Sequence, residues 1–363
     1  MKKQVAFILI CVLSLSLFPV TGSAALLSAE SAVLIEAESG KIIFSHNYDK
    51  RLGMASTTKI MTGLVAVENA SPDDLIEVDE RAVGVEGSSV YLERGERLTV
   101  RQLVYSLLLQ SANDAAEALA YHVAGGIAEF AEMMNARACE IGLTSTHFTN
   151  PHGLYDENHY TTAYELALIT REALKNETFR EIVSTKNYTF SSESKTRTIV
   201  NHNRLLKTYE GCIGVKTGFT KATGRCLVSA AQRDGVTLIC VTLNAPDDWN
   251  DHRKLLDLGF ETCERRTLAE EGGIRIPVCV TGSDVDCVYA VNRDRAELTL
   301  LEKNADVRMK VYTDRFLFAP VKKGEKIGYC AFETDGEIIA TLDLYSDRDA
   351  NEKNARRKIL GVF

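Results

Sequence analysis

Three short stretches carry residue types that can perform nucleophilic chemistry: Ser56-Thr57-Thr58-Lys59, Ser111-Ala112-Asn113 and Lys216-Thr217-Gly218. In the first, a serine precedes a lysine by three residues, and the apolar-rich segment 60–67 follows at once. Residues three apart share a helix face, so a helix opening here stacks Ser56 against Lys59 at its first turn. There the free backbone N–H groups and the positive dipole end favour anionic groups. A hydroxyl is a weak nucleophile near neutrality and needs a base within hydrogen-bond reach. A neutral lysine amine can be that base. Read alone, the pair is also what an N-cap serine beside a solvated lysine looks like.

The elements around these stretches must position them. Thr99 starts a helical region in which Leu103, Val104, Leu107 and Leu108 recur at helical spacing. A second helix runs from Asp114 through Val123 and ends at Gly125-Gly126, a C-cap signal. Ser111-Ala112-Asn113 is thus a short polar break held between two packed helices. Lys216 falls in a strand over 213–220. A turn over 221–224, a strand over 225–232, the tight turn Arg233-Asp234-Gly235 and a strand over 236–243 complete an antiparallel meander. A helix over about 250–260 closes this unit. Upstream, 32–36 and 41–45 flank Ala37-Glu38-Ser39-Gly40 and read as a hairpin. The polar stretch 70–95 reads as loops with short strands, and further helices are predicted over 127–141 and 162–175. The order is hairpin, helix, helical insertion, three-strand meander, helix. It predicts an α+β sandwich with helices packed against one five-stranded antiparallel sheet.

Past residue 265 the pattern changes to short strand-like runs at 277–280, 285–290, 296–301, 307–312, 326–332 and 337–344, which describe a small all-β domain. The boundaries expected are 26–265 and 266–345, then a charged tail, 346–363, ending in Ile359-Leu360-Gly361-Val362-Phe363. At the other end, Lys2 and Lys3 precede an apolar run over 5–18 and the small residues Gly22-Ser23-Ala24-Ala25. This is the pattern of a secretory signal peptide over 1–24, cleaved after Ala24 or Ala25; an uncleaved anchor is the alternative. The run is shorter than the roughly 20 residues a spanning helix needs. The expectation is an exported protein, at work outside the cytoplasmic membrane.

The chain has 363 residues, 45% apolar and 25% charged, with net charge −8. No basic field points to nucleic acid. One of the nine cysteines, Cys11, lies in the leader. The remaining eight form no dense framework, and no C-x-x-C pair or Cys/His cluster suggests a metal. They are expected to be mostly free and buried, and neither a metal nor a cofactor is expected. His152 and His159, at a turn and at a helix approach, read as structural hydrogen-bonding groups.

The three stretches, in this order on a helix start, an interhelical loop and a strand, resemble the trio of penicillin-binding proteins and class A β-lactamases. Here Ser-Ala-Asn stands where Ser-Asp-Asn is common. The chain resembles the D-alanyl-D-alanine carboxypeptidases among the low-molecular-mass penicillin-binding proteins, over roughly 26–345. Asn150-Pro151-His152-Gly153-Leu154, His159-Tyr160-Thr161-Thr162-Ala163, Asn201-His202-Asn203 and Lys216-Thr217-Gly218-Phe219-Thr220 also look like that family.

The resemblance implies a β-lactamase/transpeptidase-like fold and an extracytoplasmic enzyme of cell-wall synthesis, with β-lactams as inhibitors. It implies Ser56 as the nucleophile toward the bond between the last two D-alanines of a peptidoglycan stem peptide, and Lys59 as its base. Ser111 would relay a proton to the departing D-alanine, helped by Lys216. Asn113 would bind a substrate amide and position Lys59. Thr217 and Lys216 would meet the terminal carboxylate, and the N–H groups of Ser56 and Phe219 would form an oxyanion hole. Gly218 would let a peptide lie along the strand. Two nearby lysines depress each other's pKa, which helps keep Lys59 neutral.

Two departures stand out. The family often carries an arginine for the substrate carboxylate before the last helix, where this chain has Pro246-Asp247-Asp248-Trp249-Asn250. The tail is also shorter than the family's amphipathic membrane helix, which leaves peripheral membrane contact open. The rival readings are a non-catalytic cell-wall binding module and an endopeptidase or transpeptidase. A β-lactamase fits less well, because its Glu-x-x-Leu-Asn pattern is absent.

Overall fold

The computed structural model describes residues 27–353. The leader and the apolar end of the tail lie outside them. The chain opens with the antiparallel pair β1 (Ser31–Glu36) and β2 (Ile42–His46). A 3₁₀ turn, Ala55–Thr58, runs directly into α1 (Lys59–Asn69). The small ladder of β3 (Leu75–Glu77) and β4 (Arg97–Thr99) leads into a helical body. That body is α2 (Val100–Leu109), α3 (Asn113–Ala124), α4 (Ile127–Ile141), α5 (Ala163–Ala173) and α6 (Glu177–Ser184). A hairpin, β5 (Asn187–Ser191) with β6 (Thr196–Val200), and the short α7 (Leu205–Thr208) follow. The meander β7 (Cys212–Thr220), β8 (Gly224–Arg233) and β9 (Val236–Leu243) ends at α8 (Asp248–Thr262).

The meander and the first hairpin form one antiparallel sheet in the order β2-β1-β9-β8-β7. Strands β1 and β9 are buried on both faces, which is why they read as apolar runs without alternation. Val33, Ile35, Val228 and Ile239 face the helical body, while Leu34, Leu227 and Leu238 pack on Leu255 and Leu256 of α8. The period-two alternation divides one sheet between two cores. Asp234 and Gly235 both have positive φ, as the tight β8–β9 turn requires. The five-stranded sandwich expected from the sequence is present. So are the Thr99 start, where a capping box with Gln102 opens α2, and the left-handed Gly125 that ends α3.

Several details differ. Ser56 sits in the 3₁₀ turn that precedes α1, not in the first α-helical turn. Asn113 is the first residue of α3 and not part of the break. Helix α8 starts two residues earlier than read. Helix α6 and the β5–β6 hairpin were not legible; each buries few residues.

Beyond α8, β10 (Glu264–Ala269) pairs with β13 (Ala296–Leu300). A six-stranded sheet gathers β11 (Arg275–Thr281), β12 (Cys287–Asn292), β14 (Arg308–Thr313), β15 (Phe316–Phe318), β16 (Lys326–Thr334) and β17 (Glu337–Ser346). Its core of Val278, Val288, Ala290, Cys330 and Leu344 is separate from the other two. All six strand-like runs are strands, and β10 and β15 add to them. The eight cysteines are free, but only Cys226, Cys240, Cys263 and Cys330 are buried. Cys139 and Cys279 are exposed, because they fall on outward positions of α4 and β11. Among the described residues no helix is long and apolar enough to cross a membrane.

Candidate active site

The 3₁₀ turn brings Ser56 and Lys59 together, with Lys59 Nζ 3.0 Å from Ser56 Oγ. Nζ also lies 2.7 Å from Asn113 Oδ1 and 2.7 Å from the His152 carbonyl oxygen. Both of these partners only accept. A neutral amine has two N–H groups and one lone pair. With its two N–H groups on the two carbonyl-type oxygens, the lone pair is left for the Ser56 hydroxyl. Lys59 is fully buried, and burial drives its pKa well below the usual lysine range; the positive charge of Lys216 pushes the same way, against the weaker pull of Asp114. Burial alone brings the Lys216 amine down to about 7.

Each partner is itself held. Asn113 donates from Nδ2 to the Glu86 carbonyl, which fixes its oxygen toward Lys59. A contact with a substrate amide would need its second N–H. The buried Asp114 carboxylate gathers the backbone N–H groups of Val90 and Leu92 and the Ser89 hydroxyl, tying the 86–92 loop to the start of α3. His152 sits in the 150–154 turn with its ring near the Glu117 carboxylate, 3.5 Å away, and its Nδ1 accepting from Leu154 N–H. Gly153, at φ 84°, brings this turn so close to the 3₁₀ segment that a Cβ there would meet the Ala55 carbonyl oxygen at 1.9 Å.

His159 completes the support. Its Nδ1 accepts from Thr149 N–H, so Nε2 carries the proton toward Thr58 Oγ1 at 2.8 Å, and Thr58 in turn donates to the Ala55 carbonyl at 2.7 Å. Burial holds this ring neutral, with its pKa lowered to about 4. The chain of bonds fixes Ala55, whose φ of 47° is strained for a residue with a Cβ, immediately before Ser56. Both histidines are structural groups, as read; the contribution missed was the backbone carbonyl of His152.

Ser56, Ser111, Thr217, Gly218 and Phe219 line one cleft of about 730 Å³, together with Ser88, His202, Arg204, Arg225, Asp248 and Trp249. Strand β7 is the edge of the sheet and forms one wall. Gly218 passes so near the 3₁₀ turn that a Cβ there would lie 3.1 Å from Ser56 N and Thr57 N. Lys216 lies buried behind this wall and donates to the Thr217 carbonyl at 2.9 Å. Ser111 reaches the cleft from the α2–α3 break with φ 63°. All eight residues expected from the sequence thus meet in or directly behind the cleft. Another cavity, of about 530 Å³ beside Glu38, Leu300 and Glu337, is lined by none of these eight residues.

The sequence that carries this serine, this buried lysine and this open edge strand has known relatives. Residues 19–247 match the D-alanyl-D-alanine carboxypeptidase family, and residues 288–352 match the C-terminal domain of penicillin-binding protein 5. The chain belongs to the D-alanyl-D-alanine carboxypeptidase family. It is 33% identical to the D-alanyl-D-alanine carboxypeptidase DacF of Bacillus subtilis, over 88% of this chain and 85% of the relative. The solved penicillin-binding protein 5 of Haemophilus influenzae shares 30% identity at a TM-score of 0.71, covering 90% of this chain and 98% of that one. A Streptomyces DD-transpeptidase is 34% identical at a TM-score of 0.62, over 65% of this chain and 98% of its own.

Within the carboxypeptidase family frame, the segment 246–250 has no arginine. The structure puts Arg225 there instead. It starts from β8 and binds the buried Asp248 carboxylate through Nε at 3.1 Å and Nη2 at 2.9 Å. The signal for it was present in the hairpin: the 221–224 turn sets Arg225 opposite Phe219.

Proposed function

We propose that the protein is a serine-type D-Ala-D-Ala carboxypeptidase that removes the terminal D-alanine from peptidoglycan stem pentapeptides through an acyl-enzyme on Ser56. The observation that carries this reading is the buried Lys59 amine, 3.0 Å from Ser56 Oγ and held there by the Asn113 and His152 oxygens; as a neutral amine it gives those two oxygens its N–H groups and keeps its lone pair for Ser56. Ser56 Oγ attacks the carbonyl between the two D-alanines as Lys59 takes its proton. The N–H groups of Ser56 and Phe219 hold the oxyanion, whose charge develops only in the transition state. Ser111, helped by Lys216, passes a proton to the departing amine of D-alanine. Water then releases the shortened peptide. Thr217 meets the terminal carboxylate beside Lys216, Gly218 lets β7 pass close to the turn that carries Ser56, and the peptide lies along the open edge of β7.

β-Lactams acylate the same serine. The domain reading, catalytic over 26–265 and a second β-rich domain over 266–345, is supported by their separate cores. The leader pattern supports export and work at the cell wall outside the cytoplasmic membrane; peripheral membrane contact through the tail belongs to the same proposal.

The test is release of free D-alanine from a pentapeptide ending in D-Ala-D-Ala by the mature protein, with none from Ser56→Ala. No release by the unmodified protein sinks the reading, and labelling by fluorescent penicillin without release points to a binding module. Transpeptidation is the second reading, supported by the likeness to the Streptomyces DD-transpeptidase. An added amine acceptor distinguishes the two, since a transpeptidase incorporates it in place of water.

A further inference from the structure

We propose that Arg225 reads the free C-terminal carboxylate of the substrate and that the buried Asp248 holds its guanidinium in place to do so. The proposal rests on the carboxypeptidase reading of the cleft. An enzyme confined to a terminal residue must tell a free carboxylate from the next peptide bond, and the stretch before α8 offers no cation. Phe219 and Arg225 are directly paired across β7 and β8, so their side chains leave the sheet on the same face. Thr217, two residues before Phe219, shares that face. Arg225 therefore emerges just past the Lys216-Thr217-Gly218 wall, and it lines the cleft with Ser56.

The guanidinium is prepared for an anion. It offers five N–H groups in a rigid fork. Asp248 takes Nε and Nη2, while Nη1 donates to no described residue, and the side chain remains 41% exposed. Asp248 is 2% exposed and accepts from Trp249 N–H at 2.8 Å as well, so it is itself fixed. A fork held on one edge and open on another binds a second carboxylate without first losing rotamer freedom. Arg204 also lines the cleft, but among the described residues it has no carboxylate to hold it.

The experiment compares kcat/KM for a peptide ending in D-Ala-D-Ala with its C-terminal amide, in the unmodified protein, Arg225→Gln and Arg225→Lys. Acylation of Ser56 by benzylpenicillin and by its methyl ester is measured in parallel. Arg225→Gln should lose on the order of 10²-fold on the free acid and only a few-fold on the amide, since only the acid pairs with the guanidinium. Arg225→Lys should recover part of the loss. An Arg225→Gln/Asp248→Asn double variant keeps the test valid if the orphaned carboxylate unfolds the single one. Equal losses on acid and amide, or an unchanged acid-to-amide ratio, overturn the proposal. If penicillin acylates the protein but no D-alanine is released, the carboxypeptidase reading fails, and the penicillin-to-ester ratio still decides on Arg225.

A second inference stands on a separate observation. Cys279 and Cys287 are directly opposite on β11 and β12. The adjoining pair is hydrogen-bonded, Val280 N–H to Asp286 O at 3.0 Å, so the cysteines occupy a non-hydrogen-bonded site. Such sites hold their Cα atoms about 4.5 Å apart, within the roughly 4.4–6.8 Å range of disulfides. Val278, Val280 and Val288 fill the core, which leaves both thiols on the outer face. We infer that they close a cross-strand disulfide when a small-molecule disulfide is supplied. One thiolate attacks it and expels a thiol; the second thiolate attacks the mixed disulfide and expels the other. Two protein thiols are oxidised and one small disulfide is reduced. Glutathione disulfide treatment of the full-length mature protein, followed by alkylation and peptide mapping, should give a linked 279–287 peptide. A Cys287→Ser variant should stop at a glutathione adduct on Cys279. Recovery of both cysteines alkylated, or of both as separate stable adducts, overturns the inference.

Discussion

Lys59 has three oxygen neighbours, and only the neutral amine can offer a lone pair to one of them. Its neutrality comes first from burial and then from Lys216. Removing the second charge in Lys216→Gln should raise the Lys59 pKa. The acid limb of the penicillin acylation rate then moves to higher pH, because more base is needed to free the amine. A limb that stays in place or moves down would show that Lys216 does not act on Lys59. Asn113→Ala removes one of the two acceptors that orient the amine, and acylation should fall by at least about 10²-fold, the scale of a positioned general base. These residues were legible because serine, lysine and asparagine at these spacings have few other reasons to recur together. The carbonyl of His152 was not, since every residue carries one and only the fold selects which is aimed.

At the scale of the element, the 3₁₀ turn 55–58 is clamped by the 150–154 turn and by β7, with Gly153 and Gly218 at the closest approaches. Gly153→Ala sets a methyl group 1.9 Å from a backbone oxygen at a φ that disfavours a Cβ. Thermal unfolding should report a loss of about 2–4 kcal/mol, and penicillin acylation should drop with it. Full stability together with full acylation would contradict the clamp. The histidines supply a pH dependence. Burial lowers the His159 pKa to about 4 and that of His252, which joins α8 to Ser229 on β8 and Thr242 on β9, to about 3. Between the unfolded value near 6.5 and these folded values the unfolded chain binds more protons. Stability is therefore full above about 6.5 and is lost as pH falls. From pH 7 to pH 5, above the carboxylate range, the two should cost about 2 kcal/mol each at most. Urea midpoints that do not move over that interval would exclude it. The strongly apolar β1, β8 and β9 were legible as strands because both faces are covered; α6 is only eight residues long, with its helical period confined to Phe179, Ile182 and Val183, and the β5–β6 hairpin buries a single side chain on each strand.

Across the whole molecule, one sheet divides two cores and its edge strand β7 opens the cleft, while the C-terminal sheet keeps a third core of its own. This order was readable from the succession of hairpin, helices, meander and short strands. The carboxylate partner was not, because Arg225 belongs to a strand and its aim depends on Asp248, 23 residues later. With no Glu-x-x-Leu-Asn pattern in the sequence to supply a deacylating base, the penicilloyl-enzyme should persist for minutes or longer in intact-mass measurements. Rapid return of free enzyme would favour a β-lactamase. The neutral-lysine assignment itself is tested most directly by the pH profile of Ser56 acylation in the unmodified protein, followed by stopped-flow mixing with a fluorescent penicillin. A single-proton acid limb lying well below the ordinary lysine value of 10.5 is predicted, and a limb at that value would contradict it.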